Sequence, residues 1–188
     1  IEIANVCSVP IDYIVMRGQG IKLLSFLGKE CRKKNTLMPV LEKAVNDGSY
    51  EGAIVFPPKC GLYLDNPVAV VDYSSLYPSS MISENISHDS KVWTKEYDLQ
   101  GRLIKETGSD EYDNLPDYEY VDVEYDTFKW IKNARGKAEK THSGTKICRF
   151  AQFPEGRAIM PSILEELLAS RKATRKLIPQ QSDDFMKN

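Results

Sequence analysis

The segment VVDYSSLYPSSMI, residues 70–82, ends a short apolar run on a carboxylate, Asp72, and then enters a serine-rich turn with a proline. A lone aspartate in such a place ordinarily serves a turn or a helix cap. The residues after Asp72 offer more chemistry. Ser74 to Tyr77 is expected to turn sharply, and Pro78 suits the first turn of a short helix through SSMISEN. The backbone N–H groups of Ser75, Leu76 and Tyr77 would then be unpaired donors at a helix N-terminus, which favours a phosphate. A carboxylate and a polyphosphate repel each other unless a cation such as Mg²⁺ bridges them. The stretch therefore reads as half of a magnesium–triphosphate site.

A second chemical signal lies near the other end of the chain, in IMPSILEELLASRKATRKLIP. The spacing predicts a strong helix. Pro161 falls in its first turn, Ser162 with Glu165 resembles a capping box, and Pro179 marks the end. At about 100° per residue, Ile163, Leu164, Leu167 and Leu168 cover one arc. Arg171 and Arg175 continue inside that arc, with Lys172 and Lys176 towards its other side. An arginine aligned with an apolar face either snorkels past the end of a core or meets an anion.

Both groups depend on the helices and strands around them. Residues 1–46 are mostly helical in pattern, with Leu23, Leu24 and Leu27 on one face, an interruption at Gly28 and a later bend at Pro39. Asp47-Gly48 is a turn signal, after which YEGAIVFPP and CGLYLDNP read as short strands. The run VAVVD reads as a strand buried on both faces, delivering Asp72 at its end. KVWTKEYDLQGRLIKET predicts a hairpin with Gly101 in its turn. An acidic tract, Asp110 to Asp126, and a basic, glycine-containing stretch, Lys129 to Lys146, read as a surface strand edge and a solvated loop.

Composition narrows the classes. With 188 residues and 41% apolar content the chain can bury a core. A net charge of -2 means that any nucleic-acid contact must be local. No apolar run is long enough to cross a membrane. Cys7, Cys31, Cys60 and Cys148 are widely spaced without a CxxC pair, which suits free thiols over a disulfide frame or zinc site. The chain begins without Met and reads like the middle of something longer.

Asp72-Tyr73-Ser74-Ser75-Leu76-Tyr77-Pro78-Ser79 resembles the D-x-x-S-L-Y-P-S motif of family B DNA polymerases. The resemblance covers nearly the whole chain. Tyr50-Glu51-Gly52-Ala53 is similar to the Y-x-G-G/A element near the start of the palm, MRGQGIKLLSFL to the end of the exonuclease domain, and GRAIMPSILEELLASRKATRK to the first fingers helix. SSMISENISHDSKVWTKEYD and ICRFAQFPEG resemble most the polymerases of large DNA viruses of algae and protists, a delta-like branch.

The resemblance implies an α+β fragment of a right-hand polymerase. Residues 1–46 would be the end of the exonuclease region, 47–155 the first part of the palm with a mixed or antiparallel sheet, and 156–188 the start of the fingers. It implies that Asp72 binds two Mg²⁺ ions and that the Tyr73 carbonyl binds one of them. Ser75, Leu76 and Tyr77 would hold the triphosphate through their backbone, and the Tyr77 ring would exclude a 2′-hydroxyl. Arg171 and, less closely matched to the family pattern, Arg175 would meet the triphosphate, and Tyr50 and Gly52 would contact DNA.

Implied partners are primer–template DNA, deoxynucleoside triphosphates and a sliding clamp, with no membrane. The family's Y-G-D-T-D-S and K-x-x-x-N-S-x-Y-G motifs are not in these 188 residues, nor is a D-x-E or Y-x-x-x-D within residues 1–46. These residues alone are therefore expected to be inactive. A different class, a catalytically inactive homologue serving as a replication scaffold, also accommodates one intact ligand of two. Composition argues against a free-standing nucleic-acid-binding domain, because the basic residues form no single stripe.

Overall fold

A computed structural model describes residues 1–38, 55–132 and 136–180. Three helices open the chain, α1 (Glu2–Cys7), α2 (Ile11–Met16) and α3 (Gln19–Lys33). Residues 55–75 carry no helix or strand and lead to α4 (Leu76–Ser83). Four strands come next, β1 (Lys91–Tyr97), β2 (Leu103–Gly108), β3 (Glu119–Lys132) and β4 (Ala138–Gln152), and then α5 (Ile159–Leu177). This is an α+β arrangement around a four-stranded antiparallel sheet in the order β2-β1-β4-β3.

Two cores hold these elements. One seats α3 against the start of α5, with Leu27 and Cys31 meeting Ile159 and Ile163 and with Phe26 and Met160 around them. Gly28 does not interrupt α3. It sits mid-helix, and a Cβ there would already be in contact with the Met38 sulfur at 3.4 Å. The second core, Val92, Trp93 and Ala151 with Tyr120, Ile147 and Phe153, sits on the sheet.

The β1–β2 hairpin turns at Gly101, as its sequence predicts, with φ at +76°. Beside it, Trp93, Arg149 and Asp122 stand in register across β1, β4 and β3. Arg149 bonds both oxygens of Asp122 at 2.6 Å and reaches Asp113 at 2.9 Å, and its guanidinium lies 4.8 Å from the centre of the Trp93 ring. The indole N–H of Trp93 donates to Asp113 at 2.9 Å. That hydrogen bond, with Arg149 beside it, holds the Asp113 carboxyl below the usual carboxylate range. The acidic tract is thus a 3₁₀ turn at Asp110–Tyr112 followed by an edge strand, and two of its carboxylates are anchored by one arginine.

The basic stretch expected as a loop instead supplies the far end of β3 and most of β4, whose pairing continues from Asp126↔Thr145 to Lys132↔Ala138. The strands expected before Asp72 do not form in the described residues. Val70 and Val71 are 92% and 90% exposed, and residues 55–72 carry no strand. A strand persists only where its N–H and C=O groups find a neighbouring ladder, and none of the four strands pairs with this run. The expected starts at 50–54, the bend at Pro39 and the turn at Asp47-Gly48 lie outside the described residues.

Candidate functional site

The short helix predicted after the Ser-Leu-Tyr turn is α4, with Pro78 in its first turn. Ser75 is its N-cap, held in the left-handed region at φ 54° and ψ 56°. That backbone costs a non-glycine residue on the order of 1 kcal/mol, so the surroundings must impose it. No side chain among the described residues caps the helix. Ser79 steadies the turn instead, donating its N–H to the Ser75 carbonyl and its hydroxyl to the Ser74 carbonyl, both at 2.9 Å. The first amides of α4 are left directed outward, as helix geometry requires.

Helix α5 faces this N-terminus across a cleft of about 500 Å³. Ser74, Ser75 and Ser79 form one wall, and Leu168, Arg171, Lys172, Arg175 and Lys176 form the other. Among the described residues, four cationic side chains and no acid line the space. None of the four forms an ion pair with a carboxylate among the described residues. Outward amides, the positive end of a helix dipole and a row of cations make this a place for a polyanion.

A loop fixes the two walls relative to each other. The Asn85 side chain accepts the Ala158 N–H at 2.9 Å and donates to the Ala151 carbonyl at 2.9 Å. Asp89 accepts the Ile159 N–H, and the Ser87 hydroxyl accepts the Met160 N–H at 3.2 Å. Arg157 reaches the Ile82 carbonyl at 2.6 Å, and Gln152 reaches the Glu84 carbonyl at 2.8 Å. The residues leaving α4 therefore cap α5 from about 70 positions away. The capping box expected within α5 does not form. Ser162 bonds the Arg157 carbonyl, and Glu165 pairs with the Arg157 side chain at 2.7 Å, because the first amides of α5 are already taken.

Arg171, Arg175 and Ser75 all line the cleft. Lys172 and Lys176, which the helical arc set towards its other side, line it too, since the cleft is wide enough to receive both flanks of α5. Only the first turns of α5 are buried, at Ile159, Pro161 and Ile163. The helix thus outruns its core and also meets the serine turn.

Leu76 and Tyr77 are exposed in the first turn of α4, Tyr77 by 73%. Asp72 and Tyr73 are exposed in the irregular segment just before it and are not among the residues lining the cleft. The Asp72 carboxylate and the Tyr73 carbonyl are hard oxygen donors of the kind Mg²⁺ takes, and they fit part of its shell, the remainder of which phosphates and water commonly fill. No cluster of three or more metal-ligating side chains occurs among the described residues. Tyr50 and Gly52 lie outside the described residues.

A model of DNA polymerase family B matches residues 9–188. The chain is 62% identical, over its whole length, to a DNA polymerase of Phaeocystis pouchetii virus, and 46% identical over 93% of its length to one of Pyramimonas orientalis virus. It is 31% identical, again over its whole length, to the DNA polymerase delta catalytic subunit of Candida albicans. It spans 19%, 13% and 15% of those three proteins. No solved structure matches the chain. No helix among the described residues is long and apolar enough to cross a membrane.

Proposed function

The chain belongs to DNA polymerase family B, and we propose that it is the part of a DNA-directed DNA polymerase that receives the incoming nucleotide. One observation carries this reading. The cleft brings the serine turn before α4 together with Arg171 and Arg175 of α5, two segments about a hundred residues apart that the sequence ties to the same triphosphate. In this reading residues 1–46 close the exonuclease region, 47–155 begin the palm and 156–188 begin the fingers.

The reaction is an in-line displacement. The primer 3′-hydroxyl oxygen gives up its proton to solvent and forms a bond to the α-phosphorus of a deoxynucleoside triphosphate, and the bond from that phosphorus to the bridging oxygen breaks, releasing pyrophosphate. Asp72 and the Tyr73 carbonyl would hold Mg²⁺, with a second carboxylate from elsewhere in the complete enzyme. When bound, two such ions stabilise charge on the attacking and leaving oxygens.

This chain's own residues bind and orient. The amides of Ser75, Leu76 and Tyr77 hold phosphate oxygens. Arg171 forms a bidentate pair with them, and Arg175 adds a second planar cation. Holding the triphosphate rigidly in line supplies much of the acceleration, since phosphoryl transfer needs position and charge more than covalent help. The Tyr77 ring, exposed on the first turn of α4, lies under the sugar and selects the deoxy form. Tyr50 and Gly52 contact the template, and a sliding clamp is a further partner of the whole enzyme.

The test is the Arg171→Ala variant of the complete enzyme. Loss of a charge-assisted pair is expected to raise the nucleotide KM by about 10- to 100-fold while DNA affinity changes little. Equal loss of both would make Arg171 a contact to the DNA backbone and remove the cleft from this role.

A further inference from the structure

Among the described residues, β4 beyond Thr145, towards the hairpin tip, has only β3 beside it, because β1 ends at Tyr97↔Thr145. From there the two strands continue as a two-stranded ribbon through Phe128↔His142, Trp130↔Lys140 and Lys132↔Ala138. Two devices sit at its base. A bulge leaves Ser143 of β4 as the extra residue against the step from Thr127 to Phe128, which bends the strand and increases its twist. Beside it on β4, Gly144 has φ +151°, and a Cβ there would lie 2.0 Å from the Tyr97 carbonyl oxygen. Only glycine lets the ribbon pass the end of β1 at this distance.

Charge divides at that base. On β3 the inner half carries Glu119, Asp122, Glu124 and Asp126, while the outer half carries Lys129 and Lys132. The returning strand adds Lys140 against Glu139, with Lys137 just before it. Side chains alternate between faces, and cross-strand partners share one. One face of the ribbon therefore presents Phe128, Trp130, Lys132, Lys140 and His142 together. Lys140 lies over the Phe128 ring at 4.1 Å, and Trp130 is 51% exposed.

We propose that this ribbon face is a contact for duplex DNA, separate from the nucleotide cleft; the proposal rests on the polymerase reading. The outer half of the ribbon carries Lys129, Lys132 and Lys140 against Glu139, so it complements a polyanion where the acidic half of the same strand does not. Two strands about 4.8 Å apart fit a major groove about 12 Å wide. A single exposed ring favours a duplex over a single strand, whose binding needs a platform for successive bases. The lysines hold the phosphates, and Trp130 packs its edge against the groove wall.

The experiment uses the complete polymerase and a primer–template duplex, with Kd followed by anisotropy over a range of salt. Lys132→Ala/Lys140→Ala is expected to weaken binding about tenfold at low salt and to lower the slope of log Kd against log salt by about 1.8, two phosphate contacts at 0.9 each. Lys129→Ala, which removes a charge from the opposite face, is expected to leave the slope unchanged. A slope unaffected in the double variant, or lowered as much per lysine by Lys129→Ala, overturns the proposal. A change seen only with single-stranded oligonucleotides overturns the duplex assignment. Single-turnover nucleotide addition at saturating DNA separates the two readings. It should stay at the wild-type rate in the double variant. A wild-type enzyme that adds no nucleotide defeats the polymerase reading instead.

Discussion

The carboxylate of Asp89 accepts the backbone N–H of Ile159 on both oxygens, at 3.1 and 3.2 Å. It thereby caps a helix that begins 70 residues later. An acidic group at that end also answers the positive end of the helix dipole. The serine turn and the cationic wall of the cleft hang from opposite ends of this one junction. Ser87, which donates its hydroxyl to Asp89 and accepts the Met160 N–H, completes it.

Asp89→Ala is expected to cost about 1–2 kcal/mol of local stability, the usual value of a lost cap. Amide exchange at Ile159 and Met160 should quicken by about tenfold or more. Nucleotide KM should rise as well, because the walls are no longer held in register. Exchange at wild-type rates would show that the core under Ile159 and Ile163 positions α5 unaided.

Asp72→Asn keeps the shape of the side chain and removes its charge. The complete enzyme is expected to lose nearly all nucleotide addition, by at least about 1000-fold given the several kcal/mol a metal site supplies, while binding primer–template as before. Single-turnover rates and anisotropy check the two halves of this statement. Near-normal turnover would return Asp72 to the role of a turn residue.

Tyr77→Ala is expected to admit ribonucleotides. The readout is the ratio of kcat/KM for a deoxynucleotide and its ribonucleotide, which should fall towards one. An unchanged ratio would place sugar selection on another side chain.

The Trp93–Asp113–Arg149 cluster gives a pH signature. The indole N–H and then the guanidinium favour the charged form of Asp113, so its folded pKa lies below the unfolded one. Its stabilising contribution is complete above the ordinary carboxylate pKa of about 4 and fades as pH falls through the lower folded value. Trp93 fluorescence should report this transition on acidification, and Asp113→Asn should abolish it. A transition that survives the substitution would belong to another carboxylate.

The Ser-Leu-Tyr-Pro turn, the β1–β2 hairpin at Gly101 and helix α5 are legible in the sequence, because each obeys rules that act over about four to twenty neighbouring residues. The capping of α5 is not. Asn85, Ser87 and Asp89 are the right residue types, but their helix lies far along the chain, and local spacing points to Ser162 and Glu165 instead. The valine run before Asp72 misleads for a related reason. Its sequence favours a strand, yet a strand is a property of two segments, and the described residues hold no neighbour for it. The outer half of the β3–β4 hairpin is hidden by its charges, since the basic stretch reads as a solvated loop, whereas the acidic tract, where Val121, Val123 and Tyr125 alternate with Asp122, Glu124 and Asp126, reads as a strand edge. The convergence of Arg171 and Arg175 with the serine turn is foreseeable only by joining two local patterns through a common ligand.

The burial of α5 at its first turns alone gives the helix the mechanics of a lever. Its fulcrum is the loop of Asn85, Ser87 and Asp89, and Arg171 rides twelve residues out, about 18 Å along the axis at 1.5 Å per residue. A tilt of about 15° at the fulcrum would sweep the guanidinium through roughly 5 Å, enough to make or break a pair with a phosphate. Few contacts need to change at the base for that travel at the tip.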